Sequence, residues 1–158
     1  APHFTDLGDF GAELNRILYR DGLPARFASL VYARLPADSG LVTLLNAGHM
    51  PPLHVRPSAL TTLPTGSMVL GMMPDVPFSE QQIAIAPGEV PVVYSDGVSE
   101  AMNERGEFFG EERLQDLARL SHSMTPAEAG AFILRGLAAF VGDAEQSDDV
   151  SLMILRRQ

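Results

Sequence analysis

Hydrophobic and polar positions change their spacing after residue 94. Before that point, short apolar runs separated by Pro, Gly and Ser residues predict strands. Beyond residue 110, apolar residues recur every three or four positions, which is typical of amphipathic helices. A block of strands, two adjacent helices and one last strand together predict an α+β fold, in which helices cover an antiparallel sheet.

The strand pattern begins with two apolar runs on either side of a turn-forming segment, residues 36–40. Pro, Ala, Asp, Ser and Gly in that segment predict a hairpin with a five-residue loop. The predicted strands cover residues 27–35, 41–45, 53–55, 60–63, 82–85, 90–94 and 150–155.

Three helices are predicted from apolar spacing and end signals. The first covers about residues 8–20, the second begins near residue 110, and the third begins at Thr125. Thr125 is a favoured N-cap, Pro follows it, and Glu128 completes a capping box. The buried stripes are predicted to be Phe10, Leu14, Ile17 and Leu18 in the first helix, Leu114, Leu117 and Ala118 in the second, and Ala129, Phe132, Ile133, Leu137 and Phe140 in the third.

Composition narrows the class of protein. The 158 residues suffice for one domain, residues 1–158, and no apolar run is long enough to span a bilayer. The absence of cysteine excludes disulfides and thiolate metal sites and fits a cytoplasmic protein, and no secretory signal is visible. A net charge of -9 disfavours nucleic acid and favours divalent cations as small partners.

Asp96 is the first candidate for chemistry, because it follows an apolar strand and precedes Gly97. A carboxylate at the edge of a core is costly unless a metal, a basic group or hydrogen-bond donors compensate it. The alternative is that Asp96 only caps a turn, since Asp-Gly is a common turn former.

Asp148 and Asp149 repeat this arrangement directly before the last strand. Adjacent like charges repel, and a cation facing one of them would relieve the repulsion. Carboxylates at strand ends in a chain with no Cys and few His would select Mg²⁺ or Mn²⁺ rather than Zn²⁺. The alternative is a solvated loop or a helix-to-strand turn.

The loop 46–52, NAGHMPP, is the third candidate. Its Asn, Gly and Pro residues fix a particular turn, and His49 lies within it. Packing of the turn is the favoured interpretation of His49, with a catalytic role as the alternative. His3, His54 and His122 are scattered and are interpreted as incidental.

Four segments, taken in order, resemble the bacterial serine/threonine phosphatases of the PPM (type 2C-like) superfamily, specifically the SpoIIE/RsbU group. They are FASLVYARLPADSGLVTLLNAGHMPPLHV (27–55), GMMPDVPF (71–78), VVYSDGVSEAMNERGEFFGEERL (92–114) and DDVSLMIL (148–155). The strings YSDGVSEAMN and NAGHMPP are specific to the group, whereas DDVSLMIL alone is a weak signal.

The resemblance implies an αββα sandwich of antiparallel sheets flanked by helices, with two Mn²⁺ or Mg²⁺ ions at one end of the sheets. Metal-bound hydroxide would attack a phosphoserine or phosphothreonine without a covalent phosphoenzyme. By position, Asp96 and Asp148 match metal-ligating aspartates, and Gly97 lets the backbone pass close to the ions. The residues expected to line the site are Asn46, Gly48, His49 and Asp149.

In this group the substrate is typically a phosphorylated regulatory protein, an anti-sigma-factor antagonist, so a role in bacterial stress signalling is implied. No nucleic acid or membrane contact is expected, and a homodimer is left open.

The sequence departs from the group at its beginning. Group members start with a strand that carries a GD-x-S-G-H-G-like segment, and nothing here matches it. The chain is therefore predicted to begin downstream of the first metal motif, through truncation or natural degeneration. Two carboxylates alone would hold two ions poorly, so the alternative function is a degenerate phosphatase fold that binds a regulator or a second copy.

Overall fold

The computed structural model describes residues 4–22, 26–36 and 39–158. Residues 37 and 38 of the predicted hairpin loop, and His3, lie outside them. The helices are α1 (Leu7–Asp21), α2 (Asp96–Ser99), α3 (Gly110–Leu120) and α4 (Pro126–Val141). The strands are β1 (Leu30–Arg34), β2 (Leu41–Ala47), β3 (Leu53–Arg56), β4 (Ala59–Thr62), β5 (Gln81–Ala84), β6 (Val90–Tyr94) and β7 (Leu152–Ile154). None of the described helices combines the length and apolarity needed to cross a membrane.

The chain divides into two compact units. The first comprises Ala1–Pro51 and Pro64–Ile85, and the second comprises Pro52–Leu63 and Ala86–Gln158. Each unit contains one antiparallel sheet and at least one helix that contacts it. The predicted α+β class, with antiparallel sheets flanked by helices, is therefore confirmed.

The sheet of the first unit has the strand order β1-β2-β5. Leu30 pairs with Ala47 and Arg34 with Thr43, so the predicted hairpin of β1 and β2 is confirmed. The prediction that the first strand starts at residue 27 is wrong. Ala28 instead exchanges backbone hydrogen bonds with Leu70, at 3.0 and 2.8 Å, and β1 begins only afterwards.

Helix α1 forms where it is predicted, but a different face of it is buried. Ile17, predicted to be in the stripe, is 43% exposed, whereas Gly8, Gly11 and Asn15 are buried. The two glycines allow close contact with Phe78: a Cβ on Gly8 would lie 2.5 Å from the Phe78 carbonyl oxygen, and a Cβ on Gly11 would lie 3.0 Å from its ring. Small residues carry little hydrophobic signal, so the apolar pattern did not indicate this contact.

The sheet of the second unit has the order β4-β3-β6-β7. Helix α3 contacts β3 and β4, and helix α4 contacts α3 and β7. The apolar stripes predicted for α3 and α4 contribute to the buried core of the second unit. Their members Leu114, Ala118, Ile133 and Leu137 are all at most 5% exposed. Alternate residues of β6 are buried, which is the pattern of a strand with one face on a core.

Helix α4 begins as the capping signals predict. The Thr125 hydroxyl accepts the Glu128 N–H, and the Glu128 carboxylate accepts the Thr125 N–H at 2.9 Å. The Thr125 N–H and the Thr125 hydroxyl, which donates to the same carboxylate at 2.7 Å, hold the pKa of Glu128 below its ordinary value. Gly142, in the left-handed region with φ 63°, ends the helix.

Candidate metal centre

The pairing of β6 with β7 sets the position of the candidate carboxylates. Tyr94, the last residue of β6, pairs with Leu152, the first residue of β7. In an antiparallel pair, the end of one strand lies beside the start of its neighbour. Asp96 follows β6 closely and Asp148 precedes β7 closely, so both lie at the same edge of this sheet.

Ser95 joins these two segments by three hydrogen bonds. Its hydroxyl donates to the Asp149 carbonyl oxygen at 3.0 Å and accepts the Ser151 N–H at 2.9 Å. Its backbone N–H donates to the Ser151 carbonyl oxygen at 3.0 Å. Ser95 is not among the candidate residues predicted from the sequence. Serine before an aspartate carries no distinctive signal until the partner segment is known.

Gly97 lies against the backbone of the second acidic segment. A Cβ at this position would be 2.3 Å from the Asp149 carbonyl oxygen and 2.9 Å from its carbonyl carbon. Non-bonded atoms do not approach so closely, so this contact requires glycine. The contact that the structure shows at Gly97 is with the backbone of residues 148 and 149, and the close approach of this backbone to metal ions stays a prediction.

Asp96 begins the single-turn helix α2 rather than a plain turn. Its Oδ1 accepts the Gly97 N–H at 3.0 Å, and its carbonyl oxygen accepts the Glu100 N–H at 2.7 Å. A negative charge in the first turn of a helix is favourable. A helix of four residues is too short to show apolar periodicity, so the spacing of apolar residues does not predict it.

The acidic loop before β7 is fixed by its own polar groups. Asp148 Oδ1 accepts the Asp149 N–H, and Gln146 Nε2 donates to the Asp148 carbonyl oxygen, both at 2.7 Å. Asp96, Asp148 and Asp149 are all exposed to solvent. The prediction that Asp96, at the edge of the core, needs a compensating group is therefore wrong, because water can solvate this carboxylate.

The residues present fit one side of a site for a hard divalent cation. Asp96 and Asp148 each use Oδ1 for a backbone N–H, and a carboxylate offers roughly four acceptor positions, so capacity for a cation remains. Mg²⁺ is commonly held by one or two carboxylates together with water and substrate phosphate. In the described part of the chain, no three His, Asp or Glu side chains are grouped closely enough to hold a metal ion.

The loop with Asn46, Gly48 and His49 belongs to the first unit. Asn46 is fully buried; its Oδ1 accepts the His49 N–H at 2.9 Å, and its Nδ2 donates to the His49 carbonyl oxygen at 3.1 Å. Gly48 has φ 68°, and a Cβ there would lie 2.3 Å from Val69 Cγ1. These contacts support the packing interpretation of the loop, and His49 Nδ1 lies 3.1 Å from the carbonyl oxygen of Met50.

The structure thus brings four of the seven candidate residues together within the second unit: Asp96, Gly97, Asp148 and Asp149. The other three form one closed loop of the first unit. His54 is not incidental, since it is 6% exposed and its Nε2 lies 2.8 Å from a carboxylate oxygen of Glu89.

A family model and two related sequences were compared with this chain. The model of the family described as Stage II sporulation protein E (SpoIIE) matches residues 3–158. Protein IcfG of Synechocystis sp. is 29% identical over 134 residues, which are 84% of this chain and 21% of IcfG. Phosphoserine phosphatase RsbU of Bacillus subtilis is 26% identical over 147 residues, which are 92% of this chain and 43% of RsbU. The chain therefore spans less than half the length of these two relatives.

Solved structures share the fold. The SiaA-PP2C domain of Pseudomonas aeruginosa superimposes with a TM-score of 0.83 at 19% identity, covering 97% of this chain and 60% of that one. The SpoIIE phosphatase domain of Bacillus subtilis, presoaked with manganese, gives a TM-score of 0.66 at 14% identity and covers 98% of this chain and 67% of that one. The predicted PPM-like architecture is confirmed at the level of fold.

Proposed function

Because this chain belongs to the SpoIIE family of PP2C-like phosphatases, we propose that it acts within a metal-dependent protein serine/threonine phosphatase domain. The contact between Gly97 and the Asp149 backbone carries the proposal. It brings two acidic segments, about fifty residues apart in the chain, to one edge of a sheet. Residues 1–158 are proposed to act as a single functional module.

The proposed substrate is a phosphoserine or phosphothreonine on a small regulatory protein of the anti-sigma-factor antagonist type. Its support is the resemblance to the SpoIIE/RsbU group and the match to RsbU, which is named a phosphoserine phosphatase. The acidic chain, with a net charge of -9, would repel a free phosphoprotein unless cations intervene. A divalent ion held by the carboxylates would supply that attraction.

Asp96 and Asp148 are proposed to hold the cation, Mn²⁺ or Mg²⁺, and the complete domain to hold two ions. Such an ion, when bound, supplies Lewis-acid polarisation of phosphoryl oxygens and a more acidic water. The chain's own contribution is positioning. Ser95 and Gly97 hold the two acidic segments in contact, and Gln146 fixes the carbonyl of Asp148.

The test is Mn²⁺-dependent hydrolysis of p-nitrophenyl phosphate and of a phosphoserine peptide, measured on the chain together with any further domains that its gene encodes. Asp96→Asn and Asp148→Asn each remove a charge and are expected to lower kcat/KM by roughly 100-fold or more, because even residues that only support metal ligands are worth 10–100-fold. Asp116→Asn, at an exposed aspartate of α3, is the matched control and should retain activity. Activity without metal, or full activity in either site variant, would contradict the proposal.

A second candidate function is a phosphatase fold without a working metal site that binds a regulator. The observation that favours it is that no three Asp, Glu or His side chains among the described residues are grouped closely enough to hold a metal ion. Calorimetric titration with Mn²⁺ separates the two functions. Binding that Asp148→Asn abolishes supports the enzyme, whereas no heat of binding together with a stable protein complex supports the binding module.

A further inference from the structure

A cavity of about 320 Å³ opens beside the acidic segments within the second unit. One wall is the C-terminal half of α4, where Leu134, Ala138 and Val141 lie at helical spacing on one face. Leu134 is 43% exposed and Met102, on another part of the wall, is 37% exposed. The walls are predominantly apolar and open to solvent, which is the usual character of a binding pocket.

The same cavity borders the candidate metal centre. Gly97 and Ser147 line it, and each directly adjoins a proposed metal ligand in the chain, Asp96 or Asp148. A molecule in the cavity would therefore touch the two segments that carry the carboxylates. The cavity and the carboxylates together form a continuous surface on which one ligand can engage both.

The charge around the cavity has one dominant sign. Glu145 is the single charged residue in its lining. The segments that border it carry the further acidic residues Asp96, Glu100, Glu104, Asp143, Asp148 and Asp149. Two arginines, Arg105 and Arg135, lie on these segments, but neither lines the cavity. An apolar ligand with a positive charge beside it is the chemistry that this surface complements.

We propose that this cavity is a docking pocket for the phosphoprotein substrate, and that it takes one large apolar side chain flanked by Lys or Arg, a few residues from the phosphoserine. The proposal rests on the proposed phosphatase function. The volume is at the lower end of the roughly 300–1,000 Å³ of ligand pockets, which suits one large side chain and its neighbours. An extended peptide advances about 3.3–3.6 Å per residue, so a short spacing joins the pocket to the carboxylates.

Binding is tested first without catalysis, by methyl NMR of the chain titrated with phosphoserine peptides. The probes are nine-residue peptides in an alanine background with a central phosphoserine, and with Leu-Lys placed two, three or four residues to either side. At least one peptide is expected to shift the methyl signals of Leu134, Leu137 and Val150, and replacing its Leu by Ala should abolish the shifts. No response to any peptide would overturn the proposal. Shifts that instead follow protein concentration would assign the cavity to a second copy and also overturn it.

Catalytic preference gives the second test. For the wild type we expect kcat/KM for the best Leu-Lys peptide to exceed that of its Ala-Lys counterpart by roughly tenfold, as burial of a leucine side chain predicts. Replacing its Lys by Glu should also lower kcat/KM. Leu134→Glu and Ala138→Phe, which charge or fill the pocket, should reduce the Leu preference to about 1, while Leu120→Glu, at a 66% exposed leucine of α3, should keep it.

The outcomes separate this proposal from the proposed function. Hydrolysis of p-nitrophenyl phosphate with no peptide preference would leave the phosphatase standing and overturn the docking pocket. Absence of all hydrolysis with intact methyl shifts would overturn the phosphatase while supporting the cavity as a pocket that docks the phosphoserine peptide. A Leu preference that survives both pocket variants would place the specificity elsewhere and refute the assignment.

Discussion

At the scale of single residues, the contact of Gly97 with the Asp149 backbone excludes any larger side chain at this position of the candidate metal centre. The missing side chain of Gly97 leaves the space that the Asp149 carbonyl occupies. Ser95 then anchors the same carbonyl through its hydroxyl. Gly97 makes the contact sterically feasible, and Ser95 fixes its distance. The geometry of the two acidic segments therefore depends on both residues.

Gly97→Ala should destabilise the protein. The new methyl group would lie 2.3 Å from backbone, which cannot move as freely as a side chain, and overpacking of this kind costs typically about 1–3 kcal/mol. Gly130→Ala is the control, because its Cβ would meet only Ile154 Cδ1 at 3.8 Å inside α4. There the change should stabilise by about 0.5–1 kcal/mol. Urea unfolding measures the free energy of unfolding of both variants. Equal changes in the two variants would contradict the steric explanation.

At the scale of elements, Glu89 and His54 form a polar pair that holds the segment directly before β6. The Glu89 carboxylate accepts the Ala86 N–H and contacts His54 of β3, both at 2.8 Å, and its side chain is 15% exposed. Burial alone would raise the pKa of Glu89, but the Ala86 N–H, His54 and Arg56 outweigh it and hold the pKa below its ordinary 4.5. The ionised form is therefore the one that the fold stabilises.

Glu89→Gln should lower the free energy of unfolding at neutral pH by about 1.5–3 kcal/mol, the usual worth of hydrogen bonds to a charged group. Since the folded pKa is depressed, the contribution of Glu89 is fully present above pH 4.5 and is lost as the pH falls through the folded pKa. The difference between wild type and variant should accordingly shrink in acid. Glu112→Gln, at an exposed residue of α3, should change stability by no more than about 0.5 kcal/mol at any pH. A Glu89→Gln effect that grows in acid would contradict the assignment.

At the scale of the whole molecule, the net negative charge determines which small ions are attracted to the chain. Twenty acidic side chains against eleven basic ones give the net charge of -9. This excess repels anions and raises the local concentration of cations. A divalent ion held, as proposed, by Asp96 and Asp148 would relieve part of the repulsion in the folded state only, because the unfolded chain does not hold the two segments together.

Addition of Mn²⁺ should therefore raise the melting temperature. A ligand at 100 times its Kd stabilises the folded state by about 2.7 kcal/mol, which corresponds to a shift of several degrees for a domain of this size. The shift should disappear with EDTA and in Asp148→Asn, and persist in Asp116→Asn, each variant being compared with its own metal-free form. An equal Mn²⁺ shift in all three proteins would show that binding is nonspecific.

Much of the fold and part of the candidate site follow from the sequence. Period-two and helical spacing, with the capping box at Thr125, specified the sheets, α3 and α4 because these signals are local and repeat along the chain. The aspartates Asp96 and Asp148 stood out because each adjoins an apolar strand. Side-chain pattern cannot register a missing side chain or a very short element, so the buried face of α1 and the helix α2 escaped prediction.

The amino-acid order by itself thus determined the family, the α+β class and the identity of the acidic segments, all of which depend on local pattern or residue identity. Tertiary structure alone decided that Gly97 contacts Asp149, that Ser95 joins the segments, that His54 pairs with Glu89, and that an apolar cavity borders them. These features arise between residues far apart in the chain. Their distances are set by strand pairing and packing, which no local spacing encodes.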